Sequence, residues 1–461
     1  MKHRLAFALS AAILAGGICF AQTKKASNGS KPAARQELVP APVAAANAPA
    51  VPAHPSPYNF PGVQYPRIEA DSRVTFHFNA PTAQKVQVSI VNVPFDMVKG
   101  ADGVWTYTSA PQAPGYHNYW MIVDGAIVVD PATQAFIGYG HMCNGFEVPE
   151  PGVDFYDIKD VPHGNVLIKN YFAKTTNSWR HIFIYTPPEY ETATKTRYPV
   201  FYLQHGGGED ERVWIEMGRT NVILDNLLAA GKVKPMIVVM ETSAVGGPAA
   251  PGRGAGAPAG TPPPAGATPP AGAGAPGAGP GRGAPFGIGG PGGGAYGQFM
   301  VSELIPWVDS HFRTLADREH RAMAGLSMGG MQTASVTMAN LDKFSHIGFF
   351  SGGAATGGRG RGGAPGAAPA AAPAPAAAPA PLDLKTIYNG AMADPAEFNK
   401  KVKVLFMSCG SVENPDALQR HQEQLAAAGI TNSYVYVSPG TAHEWQTWRR
   451  SLYAFAPLLF R

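Results

Sequence analysis

Residues 322–330, Ala-Met-Ala-Gly-Leu-Ser-Met-Gly-Gly, leave the backbone few choices. Residues 322–324 read as a short buried strand, and the chain from Gly329 onward reads as a helix. Ser327 stands between them with Gly325 two places before it and Gly329 two places after. In a sharp turn from strand to helix the two backbones approach closely, and glycine is the residue that leaves room for them. The pattern therefore predicts a strand–turn–helix unit with the serine presented at its apex, a nucleophile elbow. With 54 glycines in the chain the pattern can also arise by chance, so its weight depends on what else the sequence supplies to Ser327.

A serine hydroxyl is a poor nucleophile near neutral pH unless a base takes its proton, and the base needs an acid to orient it. Both follow in the chain. Residues 402–407 form an apolar strand that runs into Ser408-Cys409-Gly410-Ser411-Val412-Glu413. That places a carboxylate just past the C-terminal end of a strand, where functional groups of open α/β sheets collect. Asn414-Pro415 then signals a helix start, which puts the competing acid Asp416 inside the helix and favours Glu413. The next strand, 433–437, leads through Ser438-Pro439-Gly440-Thr441-Ala442 to His443, again at a strand's C-terminal edge. Ahead of the serine, residues 198–204 are a nearly continuous apolar run, as expected of a strand buried on both faces, and they end in His205-Gly206-Gly207-Gly208. The order glycine loop, serine, acid, histidine fits an α/β-hydrolase arrangement. Strand-like runs at 165–171, 180–186 and 236–240, helical patterns at 222–228 and 299–312, and a further strand at 347–350 alternate in the manner of a mostly parallel sheet.

The rest of the chain divides by texture. Residues 1–21 carry Lys2, His3 and Arg4, an apolar run to Ile18 and a small Ala21, the pattern of a secretory signal peptide. A secreted or periplasmic protein is the expectation. Residues 22–57 are Ala/Pro-rich and read as a linker. From 58 to about 150, short alternating segments such as Val74/Phe76/Phe78 and Val86/Val88/Ile90, with tight-turn signals at Asp102-Gly103 and Asp124-Gly125, predict a small all-β sandwich. Its aromatics Trp105, Tyr107, Tyr116, Tyr119 and Trp120 either stack on sugar rings or fill the core, the second being commoner in sandwiches. The hydrolase part spans 160–461. Two Gly/Pro/Ala-rich insertions, about 246–295 and 353–381, are too poor in large apolar side chains to offset ordering entropy. A net charge of +4, half of it from Lys2 and Arg4 in the leader, points to no nucleic-acid or anionic-membrane partner, and the scattered Arg-Gly pairs do not alter that. Cys143 and Cys409 read as buried free thiols, although a pairing is open, and no metal-ligand spacing is present.

These motifs together resemble carbohydrate esterase family 1, the group of feruloyl esterases, acetylxylan esterases, the esterase D type and relatives of enterochelin esterase. The likeness is carried by Tyr202-Leu203-Gln204-His205-Gly206-Gly207-Gly208 with Trp214, by Pro306-Trp307-Val308, Phe312-Arg313-Thr314 and His320-Arg321-Ala322, by the Ser327 turn, and by His443-Glu444-Trp445 with Trp448-Arg449. The resemblance implies Ser327 as nucleophile, His443 as base, Glu413 as acid, the Gly207 and Met328 N–H groups as oxyanion hole, and no cofactor. Many members have aspartate where this chain has Glu413. Trp214 and Trp445 are candidate pocket walls. The region from 58 to 150 is similar to the immunoglobulin-like modules, related to the family-48 carbohydrate-binding type, that precede such enzymes. The implied substrate is a hydroxycinnamoyl or acetyl ester of plant xylan. A siderophore trilactone, an acyl-transfer reaction, or a non-catalytic glycan-binding role are the alternatives.

Overall fold

The computed structural model describes residues 37–45, 47–245, 294–354 and 382–461. The expected signal peptide, the first part of the expected linker and nearly all of both insertions lie outside the described residues.

Two antiparallel sheets occupy the N-terminal part. One pairs His54–Pro55, Arg67–Ile68, Val74–Asn79, Val104–Thr108 and Val98–Lys99 in that spatial order. The other runs Ala135–Gly138, His141–Val148, Gly115–Val123, Val86–Ile90 and Val93–Asp96, with Ala126–Val128 also on Gly115–Val123. Alternation sends Val74 and Phe76 from the first sheet and Val86, Val88 and Ile90 from the second into one core with Trp105, Tyr119 and Phe146. Asp124 (φ 48°) and Gly125 (φ 90°) take the left-handed dihedrals that a two-residue hairpin turn requires. Trp105, Tyr116, Tyr119 and Trp120 are all buried, so none of the four is an open platform for sugar. The stretch expected to be a linker is partly built into the fold. His54–Pro55 pairs with Arg67–Ile68, Ala41 is buried, and the Ala44 N–H donates to Glu150 Oε1 at 3.0 Å.

The remainder forms an eight-stranded sheet: β1 (Asn165–Ala173), β2 (Ser178–Thr186), β3 (Val200–Gln204), β4 (Ile237–Glu241), β5 (Arg321–Leu326), β6 (His346–Phe350), β7 (Val404–Gly410) and β8 (Ser433–Ser438). Its spatial order is β1-β2-β4-β3-β5-β6-β7-β8, antiparallel through β1, β2 and β4 and parallel from β4 onward. This is an α/β-hydrolase sheet. Strands β3 to β7 are buried along their whole length, because both faces are covered and successive side chains enter opposite cores. Phe201 and Leu203 face the side of Leu452 and Phe455, while Val200 and Tyr202 face the side of Phe299, Val308 and Val336.

Helices α1 (Thr220–Ala229), α2 (Ile305–His311), α3 (Met328–Ala339), α4 (Pro415–Ala427) and α5 (Trp445–Phe455) cover these faces. The helix expected at 299–312 is longer and not uniform. It begins at Gly294 and passes through a π-helical turn, Met300–Leu304, before α2. Pro306 supplies the cause: it has no N–H and its ring crowds the carbonyl four residues back, so the preceding turn widens.

The sandwich is fixed to α5 by buried ion pairs. Arg449 holds Glu147 through two nitrogens, at 2.6 and 3.1 Å, and Arg450 holds Glu150. All four side chains are buried. Cys143 and Cys409 are separate free thiols, and burial raises each to about 12. No helix among the described residues is long and apolar enough to cross a membrane.

Candidate active site

Ser327 sits between β5 and α3 with φ 51° and ψ −116°, a conformation an L-residue adopts only when its surroundings enforce it. Its N–H donates to the Phe350 carbonyl at 2.7 Å, which anchors the turn to β6. A side chain at Gly325 would put a Cβ 2.5 Å from the Gly329 backbone, and one at Gly329 would collide with the His205 and Gln204 carbonyls. Both glycines are therefore required by close backbone approach, the reason the sequence pattern gave for them.

The acid and histidine loops cross beside this turn. Gly410, at the end of β7, packs so closely under Thr441 and Ala442 that no side chain fits there. The Ser411 N–H donates to Ser438 and the Val412 N–H to Thr441, which fixes the two loops to each other. His443 then lies between its partners: Nε2 is 2.9 Å from Ser327 Oγ, and Nδ1 is 2.9 Å from Glu413 Oε2. The other Glu413 oxygen accepts from the Gly410 N–H at 2.6 Å and from Ser351 Oγ at 2.7 Å. Burial alone would raise the Glu413 carboxyl. The hydrogen bond and charge of His443, helped by the Gly410 and Ser351 donors, outweigh burial and hold it below the usual carboxylate range. Asp416 lies in the first turn of α4, after the Asn414 cap, and does not reach His443.

Gly207 faces Met328 across the mouth of this turn, with Met328 Cβ 4.0 Å from where a Cβ on Gly207 would stand. Met328 is the first residue of α3, so its N–H has no acceptor within the helix. Around Gly207 the other groups of the loop are engaged. The Gln204 carbonyl accepts from Trp214 Nε1 at 2.9 Å, and the Gly206 carbonyl accepts from His205 Nδ1 at 2.8 Å. Burial pushes His205 down to about 4, so its ring is neutral, with Nε2 free to accept from the Ser243 N–H at 3.3 Å. The Gly206 N–H donates to Glu209 Oε2 at 2.8 Å. The Gly207 N–H has no partner among the described residues.

A cleft opens over Ser327. Its hydrolase side is lined by Gly206, Gly207, Glu209, Leu326, His443, Glu444, Trp445 and Trp448, and its other side by Val91, Tyr116, His117, Asn118 and Tyr139 of the sandwich. Trp445 is thus at the wall, edge-on to Trp448, whose ring is in turn edge-on to His443. Trp214 is not. It is 1% exposed and packs behind Trp445 at 5.4 Å, so the expectation that it lines the pocket is corrected: its indole fills the core and its N–H supports β3. Sequence reading missed the sandwich wall, because nothing local marks contacts between segments so far apart in the chain. It also missed Glu209, which a carboxylate directly after a glycine loop could have flagged. Among the described residues no group of three or more His, Cys, Asp or Glu side chains could hold a metal ion.

Residues 285–459 match a family model described as a putative esterase. This part of the chain is an esterase-family domain. The chain is 34% identical over 415 residues to an endo-1,4-beta-xylanase/feruloyl esterase of Xylanibacter ruminicola, a match that covers 88% of this chain and 47% of that protein. It is 29% identical over 171 residues to an esterase of Mycobacterium tuberculosis, covering 37% of this chain and 28% of that one. The chain thus spans about half, or less, of the length of these relatives. The enterobactin esterase of Shigella flexneri superposes with a TM-score of 0.53 at 15% identity, covering 84% of this chain and 92% of that one, which shows a shared fold. The glycine-flanked serine turn and His443 both fall inside the matched esterase region, whereas the Gly207 loop precedes it.

Proposed function

We propose that the chain is an exported serine carboxylester hydrolase that releases hydroxycinnamoyl or acetyl groups from plant xylan. The observation that carries the reaction type is the hydrogen-bonded series from Glu413 through His443 to Ser327, 2.9 Å at each step. In this reading His443 Nε2 takes the proton of Ser327 Oγ as that oxygen attacks the ester carbonyl. The negative charge that develops on the carbonyl oxygen rests on the Gly207 and Met328 N–H groups, where each donor is worth about 2.7–4 kcal/mol of transition-state stabilisation. Glu413 holds the tautomer with the proton on Nδ1 and stabilises the imidazolium. As the tetrahedral intermediate collapses, His443 gives its Nε2 proton to the leaving alkoxide, and the acyl group stays on Ser327. Water, deprotonated by His443, then releases the acid and restores the serine. None of these steps needs a cofactor.

The substrate class rests on the Xylanibacter relative, whose name joins xylanase with feruloyl esterase and which aligns with most of this chain. Trp445, Trp448 and Tyr139 line the cleft, and aromatic walls of this kind favour a planar aromatic acyl group. The likeness to enterobactin esterase is one of fold and carries no substrate. Feruloyl, acetyl and trilactone esters compared by kcat/KM test the assignment. The xylan reading expects methyl ferulate or an acetylated xylo-oligosaccharide to exceed the trilactone by at least about tenfold, the discrimination that pocket contacts worth 1–3 kcal/mol provide. A trilactone preference would reassign the substrate, and absence of turnover on all three would leave a glycan-binding role.

A further inference from the structure

Glu209 is a carboxyl that the reaction described above does not use, yet it stands in the cleft. It is half-buried, lines the wall beside Ser327 and His443, and accepts the Gly206 N–H through Oε2 at 2.8 Å. Its second oxygen, Oε1, has no hydrogen-bond partner among the described residues. We propose that Glu209, through its bond to the Gly206 N–H, is a positioning residue for the Gly207 N–H. The proposal rests on the reading of Gly207 as an oxyanion donor.

The positioning follows from the peptide geometry of the loop. Two bonds hold successive peptide planes on either side of the Gly206 Cα: the Gly206 N–H, in the His205–Gly206 peptide, is fixed by Glu209, and the Gly206 carbonyl, in the Gly206–Gly207 peptide, by His205. Because that carbonyl and the Gly207 N–H belong to one planar unit, fixing the first aims the second. Removing the Glu209 acceptor frees the peptide unit before it, and with it the Gly206 dihedrals through which the Gly207 N–H is aimed.

The charge state follows from what faces the carboxyl. Asp210, next in the chain, is paired with Arg212 at 2.8 Å. From the sandwich, Tyr139 and the buried Cys143 thiol face it, His117 lines the opposite wall, and His443 and Glu444 line the same side of the cleft. His205 on the inner side is neutral. Neither lysine nor arginine is among the described residues that line the cleft. Burial, reinforced by Asp210 and only partly offset by the Gly206 N–H, pushes the Glu209 carboxyl up to about 8. In the neutral form Oε2 accepts from the Gly206 N–H and Oε1, which has no partner among the described residues, is left to carry the proton. If Glu209 ionises, a negative charge arises beside the site where the transition state itself develops one, so transition-state stabilisation falls.

The test is the pH dependence of kcat/KM from 6 to 10 for the full chain, Glu209→Gln and Glu209→Ala, on methyl ferulate with product measured chromatographically. Wild type is expected to lose activity above about pH 8. Glu209→Gln keeps an oxygen acceptor and cannot ionise, so its profile is expected to stay level to pH 9.5. Glu209→Ala is expected to lose about 10- to 100-fold in kcat at pH 7 with KM within threefold, and the glutamine variant to recover most of that loss. A glutamine variant that keeps the wild-type fall above pH 8, or an alanine variant with wild-type kcat, overturns the proposal. Thermal melts of each variant separate loss of fold from loss of aim. An inactive wild type would bring down the hydrolase reading and this proposal with it, whereas an active wild type with an unchanged glutamine profile brings down this proposal alone.

Discussion

The Gly140 N–H donates to the Gly208 carbonyl at 2.9 Å, and that bond ties a turn of the β-sandwich to the glycine loop that faces Ser327. Gly208 adopts φ 74°, and a side chain there would stand 2.6 Å from the Gly140 nitrogen and 3.0 Å from the Tyr139 carbonyl carbon. The sandwich therefore acts on the loop through backbone contact that leaves no room for adjustment.

Gly208→Ala follows directly. The added methyl must push the loop away from the Tyr139–Gly140 turn, and a displacement near 1 Å costs about 100-fold in a reaction that depends on alignment. A drop of at least tenfold in kcat with the circular dichroism spectrum retained is expected. Unchanged kcat would mean that the loop moves without consequence.

Glu413→Gln removes the charge that holds the His443 tautomer and stabilises its imidazolium. A loss of about 10³- to 10⁴-fold in kcat is expected by the logic of serine triads, with Asp416→Asn close to wild type. The reverse ranking, measured on any ester the wild type turns over, would exchange the two acids.

Arg449→Met removes the bidentate partner of the buried Glu147. Loss of about 3–5 kcal/mol is expected in denaturant unfolding, because the buried carboxylate keeps only Tyr58 and the more distant Arg219 as partners. The pair also sets an acid limit. Burial raises the Glu147 carboxyl, but Arg449, Arg219 and Tyr58 together hold it below its ordinary value of 4.5. A depressed carboxyl stabilises the fold above its unfolded value and stops doing so as pH falls through the folded one. Wild-type stability should therefore decline below about pH 4.5, and Arg449→Met should show a shallower decline there. Parallel pH curves for the two proteins would contradict this.

Much of this site was legible in the sequence for a physical reason. Gly325, Gly329 and the ends of β7 and β8 mark where backbone must turn sharply beside buried strands, and such constraints are local. Glu413 was separable from Asp416 because Asn414-Pro415 announces the helix between them. Trp214 was misread because a tryptophan near a glycine loop looks the same whether its indole faces the cleft or the core. Only the hydrogen bond to the Gln204 carbonyl decides that. The sandwich wall, with Tyr139 and Asn118 opposite Ser327, depends on how two folded parts meet and has no local signature. The ion pairs of Glu147 and Glu150 with successive arginines of α5 are of the same kind.

The most direct measurement is the mass of the protein acid-quenched during the first turnovers of a feruloyl ester, with peptide mapping of any adduct. The expected result is a feruloyl group on Ser327, present in wild type and absent from Ser327→Ala, which should release no ferulate. Turnover with no adduct on Ser327, or ferulate release by the alanine variant at the wild-type rate, would contradict acyl transfer through this serine.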